Sequence, residues 1–278
     1  MSLVAASRSE VTKQFTTSAW WILAIVLVVY VGSTAAGLAG LFSALATGAI
    51  SDSATGSPQF AADAIPPIVY SLAASVGYVF PLLVGTLMVT TEFRHKTLTP
   101  TFLATPRRGV ALSAKIVIGI VMGLVFAVIA LLSSIGPGAA FIAGFGLDTT
   151  LASSDTWALI GRTTLALVLW SIVGVGIGTL VRNQVVAIVI VLAFTQFIEP
   201  IARAATGLVE GLSDVTKFLP GAASDALVGA SIFTGLAGQT STTGGTPLEW
   251  WGGGIVLAIY AVVFLVLGYL VTWRRDVS

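Results

Sequence analysis

Six strongly apolar stretches of this chain carry no Asp, Glu, Lys or Arg: Gln14 to Ser51, Ala64 to Thr91, Ile116 to Leu147, Thr163 to Val181, Asn183 to Ile198 and Trp250 to Trp273, which are 38, 28, 32, 19, 16 and 24 residues long. A charged side chain at the centre of a bilayer costs about 2.5–3.5 kcal/mol on insertion scales, so uncharged intervals of this length mark where hydrocarbon can surround a helix. Crossing about 30 Å of hydrocarbon takes roughly 20 apolar residues at about 1.5 Å each. Only the fifth interval falls well short. It reaches about 24 Å, which puts Glu199 and Pro200 in the outer half of the membrane or in a cavity there.

Composition excludes the alternatives to a membrane chain. Of the 278 residues 56% are apolar and only 9% charged, whereas a soluble domain has about a quarter of its residues charged and a disordered one still more. The net charge of +1 offers no basic face for nucleic acid, which is excluded as a partner. With no cysteine and the single histidine His95, disulfides, thiolate chemistry and zinc sites of the Cys/His type are out of reach.

The expected fold is therefore an all-α integral membrane protein, residues 1–278 forming one unit with spans at roughly 19–46, 68–91, 110–135, 157–181, 184–199 and 251–273. The first apolar run is too long for a secretory signal, whose apolar core has about 7–15 residues, and is expected to remain as an uncleaved span. Ten of the thirteen Lys and Arg residues fall on one side of the six spans, leaving Arg162, Arg203 and Lys217 on the other. By the positive-inside rule both termini face the cytoplasm of a cell membrane. Outer loops at Ala46–Pro67 and Gly136–Thr156 are rich in turn formers. The longer outer region 199–250 holds two mildly apolar pieces, Ile201–Leu212 and Ala222–Leu236, expected as short helices at the outer leaflet, re-entrant or lying flat. Leu3, Val4, Val11 and Phe15 share one helical face opposite Arg8, Glu10 and Lys13, which suits an interfacial helix on the inner leaflet; a disordered tail is the alternative.

Several chemistries are missing. None of the four lysines follows a glycine, so the chain has no phosphate-binding loop of the Gly-x-x-x-x-Gly-Lys-Ser/Thr type. One histidine forbids His-Glu-x-x-His, there is no Gly-x-Ser-x-Gly elbow, and no ionisable residue lies mid-span to carry a coupling ion. An enzyme is not expected, and no cofactor or metal is expected in this chain.

The informative segment is the cytoplasmic loop 92–109. Thr99-Pro100 is an N-cap followed by proline at the first helical position, and Pro106 ends the element. At most two turns of helix lie between, presenting Phe102 and Leu103 and rimmed by Arg94, Lys96, Arg107 and Arg108. So short a helix is marginal in water alone, and its apolar side chains imply a docking surface; the alternative is that they touch the chain's own helix ends while the basic residues meet lipid headgroups.

Glu92-Phe-Arg-His-Lys-Thr-Leu98, then Phe102-Leu-Ala-Thr-Pro-Arg-Arg108 and, seven residues on, Lys115 resemble the ABC-2 type transporter permeases, the membrane subunits of ABC exporters. Three further stretches carry the resemblance through the chain: Glu10–Lys13 leading into Ser18-Ala-Trp-Trp21, Gly174–Gly178 with Leu180–Gln184, and Glu199-Pro200 with Leu219-Pro-Gly221. The resemblance implies a six-span subunit that pairs with a second permease, as a homodimer or heterodimer, each contacting a separate ATPase subunit that binds ATP and magnesium. It assigns ATPase coupling to Glu92, Arg94, Thr97, Leu98, Phe102, Leu103, Pro106, Arg107 and Arg108. The residues themselves suggest an outer gate at Glu199, Pro200 and Arg203, where a buried Glu199–Arg203 pair is weighed against a helix end snorkelling to the headgroups. Lys96 stands where the family often has glycine, a departure at the turn before Thr97.

The implied function is outward transport of an amphipathic or lipid-like substrate, with Tyr70, Tyr78, Phe80, Phe126, Trp170 and Phe194 either lining the path or packing against helices and lipid. A scaffold or sensor without an ATPase, and a stand-alone secondary carrier, are the alternatives. Small-x-x-x-small pairs at Ala36/Gly40, Gly119/Gly123 and Gly174/Gly178 read as close helix packing within one subunit or as a dimer seam, and Pro81 is expected to bend span two.

Overall fold

The computed structural model describes residues 3–50, 61–97, 108–205, 212–231 and 248–273. The order is α1 (Leu3–Thr16), α2 (Ala19–Ala46), a 3-10 turn (Ala62–Ala64), α3 (Ile65–Ser75), α4 (Val79–Arg94), α5 (Arg108–Gly144), α6 (Ser154–Leu180), α7 (Gln184–Ala193), a π-helical turn (Phe194–Ile198), α8 (Glu199–Ala204), α9 (Leu212–Thr216), α10 (Pro220–Val228), α11 (Trp250–Gly268) and a second π-helical turn (Tyr269–Trp273). There is no strand among the described residues. Six helical stretches, Ala19–Ala46, Ala62–Arg94, Arg108–Gly144, Ser154–Leu180, Gln184–Ala204 and Trp250–Thr272, are long and apolar enough to cross a membrane. This is the build of a multi-pass membrane protein.

The second span is central. Most of its apolar window is buried, against small fractions for the first, fifth and sixth, whose Val29, Val189 and Val262 stay exposed. Glycine is why the centre packs closely. A Cβ at Gly174 would run into the carbonyl of Leu82, one at Gly85 into that of Ser171, and one at Gly123 would lie 2.7 Å from Val168 Cα. Both the Gly174/Gly178 and Gly119/Gly123 pairs thus pack inside one chain. Hydroxyls bridge the same seams: Thr86 Oγ1 donates to Gly174 O at 3.2 Å, Ser171 Oγ to Gly119 O at 2.7 Å and Ser134 Oγ to Val69 O at 2.7 Å, in keeping with close approach and interhelical hydrogen bonding where no hydrophobic force acts between helices.

Span two is broken rather than bent at Pro81. The interruption lies at Val76–Tyr78, between α3 and α4. Pro81 has no N–H for Gly77 O, which instead accepts from Phe80 N at 3.2 Å, while Gly77 N reaches back to Leu72 O at 3.3 Å. Only glycine fits at 77, since a Cβ there would strike the carbonyl of Ala73. The third span, α5, also runs on through Pro137 to Gly144, past the Gly136 expected to begin an outer loop.

Candidate functional site

Two polar clusters occupy opposite ends of the bundle. The first joins α1 to the helices that bracket loop 98–107. Lys115 on α5 is completely buried, and its ammonium lies 2.9 Å from Glu10 Oε2 and 2.9 Å from Glu92 Oε2. The Glu10 contact is a hydrogen bond; the Glu92 contact is an ion pair outside hydrogen-bond geometry. Lys13 closes the ring, 2.7 Å from Glu10 Oε1 and 3.0 Å from Glu92 Oε1. Two carboxylates and two ammoniums thus alternate around a square. Burial by itself would push the Glu10 carboxyl up, but the charge and hydrogen bond of Lys115, joined by Lys13, outweigh it and hold Glu10 below its usual value. For Lys13, burial is outweighed by the bonds to Glu10 and Glu92, and its ammonium is held above its usual value.

This arrangement corrects the simple view of α1. Residues 3–16 form a helix, and the face it buries carries Ala6, Glu10 and Gln14, while Leu3, Val4, Val11 and Phe15 are exposed. Glu10 turns inward to partners on α5 and α1 itself, while Lys13, its side chain 43% exposed, reaches over the ring from the solvent side to Glu92 on α4. Beside the ring lies a cavity of about 370 Å³, lined in part by Gln14, Thr17, Met88, Thr91 and His95.

Glu92 is therefore an ion-pair anchor of the helix end. Just beyond it the chain leaves α4 through a Schellman turn, with Thr97 N donating to Glu92 O at 3.0 Å and Lys96 N to Phe93 O at 3.3 Å. Lys96 itself has φ +55°, the left-handed backbone that glycine would adopt more easily, which gives the departure at this position a physical meaning. Arg94 Nη1 reaches Gln184 Oε1 at 3.4 Å, tying this end of span two to the start of span five. Arg108 opens α5. Leu98, Phe102, Leu103, Pro106 and Arg107 lie outside the described residues.

The second cluster sits at the break in span two. Glu199 and Arg203 do not pair with each other. Arg203 Nη2 bonds Asp225 Oδ2, and Asp225 also accepts from Ser75 Oγ at 3.1 Å and Ser231 Oγ at 2.9 Å. The Glu199 carboxylate, 1% exposed, accepts from Ala222 N at 3.0 Å. It caps the N-terminus of α10, where free amides and the helix dipole favour an anion. Pro220 is at the first position of that helix and Gly221 leaves room for the carboxylate, since a Cβ there would collide with Glu199. Glu199 opens α8 and Pro200 follows in its first turn.

Span five approaches this cluster through its π-helical turn, and the carbonyl of Thr195 accepts from Tyr78 Oη at 3.2 Å. Tyr78 lies against Trp170, ring centroids 4.5 Å apart, and Trp170 Nε1 donates to Ser224 Oγ at 3.0 Å. Spans one, two and five and helix α10 line a cavity of about 200 Å³ here, with Tyr30, Tyr78, Thr195 and Ser224 in its wall. Sequence reasoning missed Asp225 and Ser75, which lie in apolar pieces with nothing local to mark them. Tyr70, Tyr78, Phe80, Phe126 and Trp170 are buried among helices of this one chain and Phe194 is half-buried; of these, Tyr78 also lines the 200 Å³ cavity. Among the described residues no group of three or more Asp, Glu or His side chains could hold a metal ion.

No protein-family model matches the chain, and no curated protein sequence matches it.

Proposed function

We propose that the chain is the transmembrane permease subunit of an ATP-binding cassette exporter, moving an amphipathic or lipid-like substrate outward while separate ATPase subunits dock on loop 92–109 from the cytoplasm. The observation that carries this reading is the buried ring Glu10–Lys115–Glu92–Lys13. A partner that pushes on residues 98–107 moves a membrane domain only if the loop is held stiffly at both ends. The ring clamps the last turn of α4 and the second turn of α5 to one another and to α1. In this reading α1 lies on the inner leaflet with Leu3, Val4, Val11 and Phe15 in lipid, and α10 is a short helix dipping into the outer leaflet. The Glu199 cap and the Arg203–Asp225 pair then form a latch at the outer gate that opens when span two moves about its break. A second permease covers part of the exposed faces of the peripheral spans.

The test is Phe102→Asp in the full chain. Membrane insertion is expected to persist while copurification of an ATPase with the tagged protein is lost, along with ATP hydrolysis stimulated by lipophilic substrate. Retention of the ATPase at the wild-type level by this variant would sink the proposal.

A further inference from the structure

A third cavity, of about 350 Å³, lies near the end of the bundle that carries the Arg203–Asp225 pair, apart from the cluster already described, and is lined in part by Asp63, Thr150, Asp155, Thr156, Arg162 and Gly229. Its size falls in the range of small-ligand pockets. Arg162 is half-buried on α6 and lies over the Trp250 ring, 4.9 Å from its centroid. That contact uses one face of the guanidinium and leaves its N–H edge unused. Among the described residues no side chain or carbonyl accepts a hydrogen bond from Arg162. The backbone of Gly229, at φ +84°, comes so close that a Cβ there would be 3.1 Å from Arg162 Nη1, so glycine keeps this side of the guanidinium open.

Asp155 stands seven residues before Arg162 on the same face of α6, about 10 Å away along the axis. At that separation the two charges cannot pair with each other. Asp63, in the turn that begins span two, adds a second carboxylate to the wall. The cavity therefore offers an anion-binding fork and, about 10 Å along α6, the Asp155 carboxylate, with Asp63 also in its wall. Exposed Trp157, Trp250 and Trp251 belong to the first turns of α6 and α11 around it; tryptophan collects at the level of lipid headgroups.

We propose that this cavity binds the zwitterionic phosphodiester headgroup of a membrane phospholipid, with Arg162 holding the phosphate bidentately and Asp155 with Asp63 holding the ammonium. The spacing of the two charges on α6 suits a ligand with an anion and a cation a few atoms apart, and the carboxylates disfavour headgroups that are only negative. This site goes beyond the exporter reading and does not depend on it.

The full chain, purified in detergent and stripped of lipid, is titrated with phosphatidylethanolamine, phosphatidylglycerol and inorganic phosphate, with binding followed by native mass spectrometry and by thermal shift. Phosphatidylethanolamine is expected to bind at least tenfold more tightly than phosphatidylglycerol, and millimolar phosphate to leave it in place. Arg162→Gln should weaken phosphatidylethanolamine at least tenfold, with partial recovery in Arg162→Lys. Because both aspartates are exposed, Asp63→Asn/Asp155→Asn should fold normally and reverse the preference toward phosphatidylglycerol. Equal affinity of the native chain for the two lipids, displacement by phosphate, or a double variant with unaltered preference would each overturn the assignment.

Discussion

Replacing Lys115 by methionine removes one corner of the buried ring while keeping most of the side-chain volume. At 2.9 Å and an effective dielectric of about 20, each contact to Glu10 and Glu92 is worth roughly 6 kcal/mol before desolvation is counted. Withdrawing the ions from water cancels much of this, and breaking a buried pair by deleting one partner typically costs about 3–5 kcal/mol. After the change two carboxylates share Lys13 alone, and one negative charge is left buried without compensation. The cheapest escape is for α1 to undock, because a free 14-residue helix is marginal in water and the central spans stay packed without it. Hydrogen exchange should therefore show amides 3–16 losing two to four orders of magnitude of protection, at about 1.4 kcal/mol per decade, with the central spans unaffected. Lys115→Met/Glu92→Gln, which restores neutrality, should recover most of it. The sign of the pH dependence follows from the two displaced groups. Glu10 is held low, so its contribution is present above the usual 4.5 and fades as pH falls through its lower folded value; Lys13 is held high, so its contribution is present below 10.5 and fades as pH rises through its higher folded value. Protection of α1 should be flat from about pH 5 to about pH 10 and drop outside it. Unchanged exchange of α1 in Lys115→Met at pH 7 would refute the reasoning.

Two further substitutions probe the backbone. Lys96→Gly should raise stability by up to about 1 kcal/mol, because glycine reaches φ +55° without the clash a Cβ makes; a lower midpoint in thermal or denaturant unfolding would count against the Schellman assignment. Gly174→Ala should be among the most disruptive single-methyl additions in the chain, since the new Cβ meets the carbonyl of Leu82 and neither backbone can yield. A loss of roughly 1–3 kcal/mol is expected, read as reduced thermal stability in detergent, and a neutral result would mean that spans two and four do not pack this closely.

The six apolar helices were legible because hydrocarbon imposes a simple rule on charge, and that rule acts locally along the chain. The polar clusters were not, because their partners are far apart in sequence. Lys115 meets Glu10 across 105 positions and Ser75 meets Asp225 across 150, so no window of the sequence contains both members of either pair. The same rule even misleads at these points: it sorts every charge to water or to headgroups, and therefore sent Glu10 and Lys13 outward from α1 and left Glu199 to choose between its near neighbour Arg203 and the headgroups. What decides against it is the set of partners the fold brings in: Glu10 has two ammoniums within 2.9 Å, and one Glu199 oxygen takes the N-terminus of α10 while the other is buried without a hydrogen-bond partner among the described residues. Glu199-Pro200 and Leu219-Pro220-Gly221 did carry a trace of this, since proline is favoured at the first helical position and a Cβ at Gly221 would collide with the Glu199 carboxylate. The sequence marked both ends of this contact without saying that one meets the other.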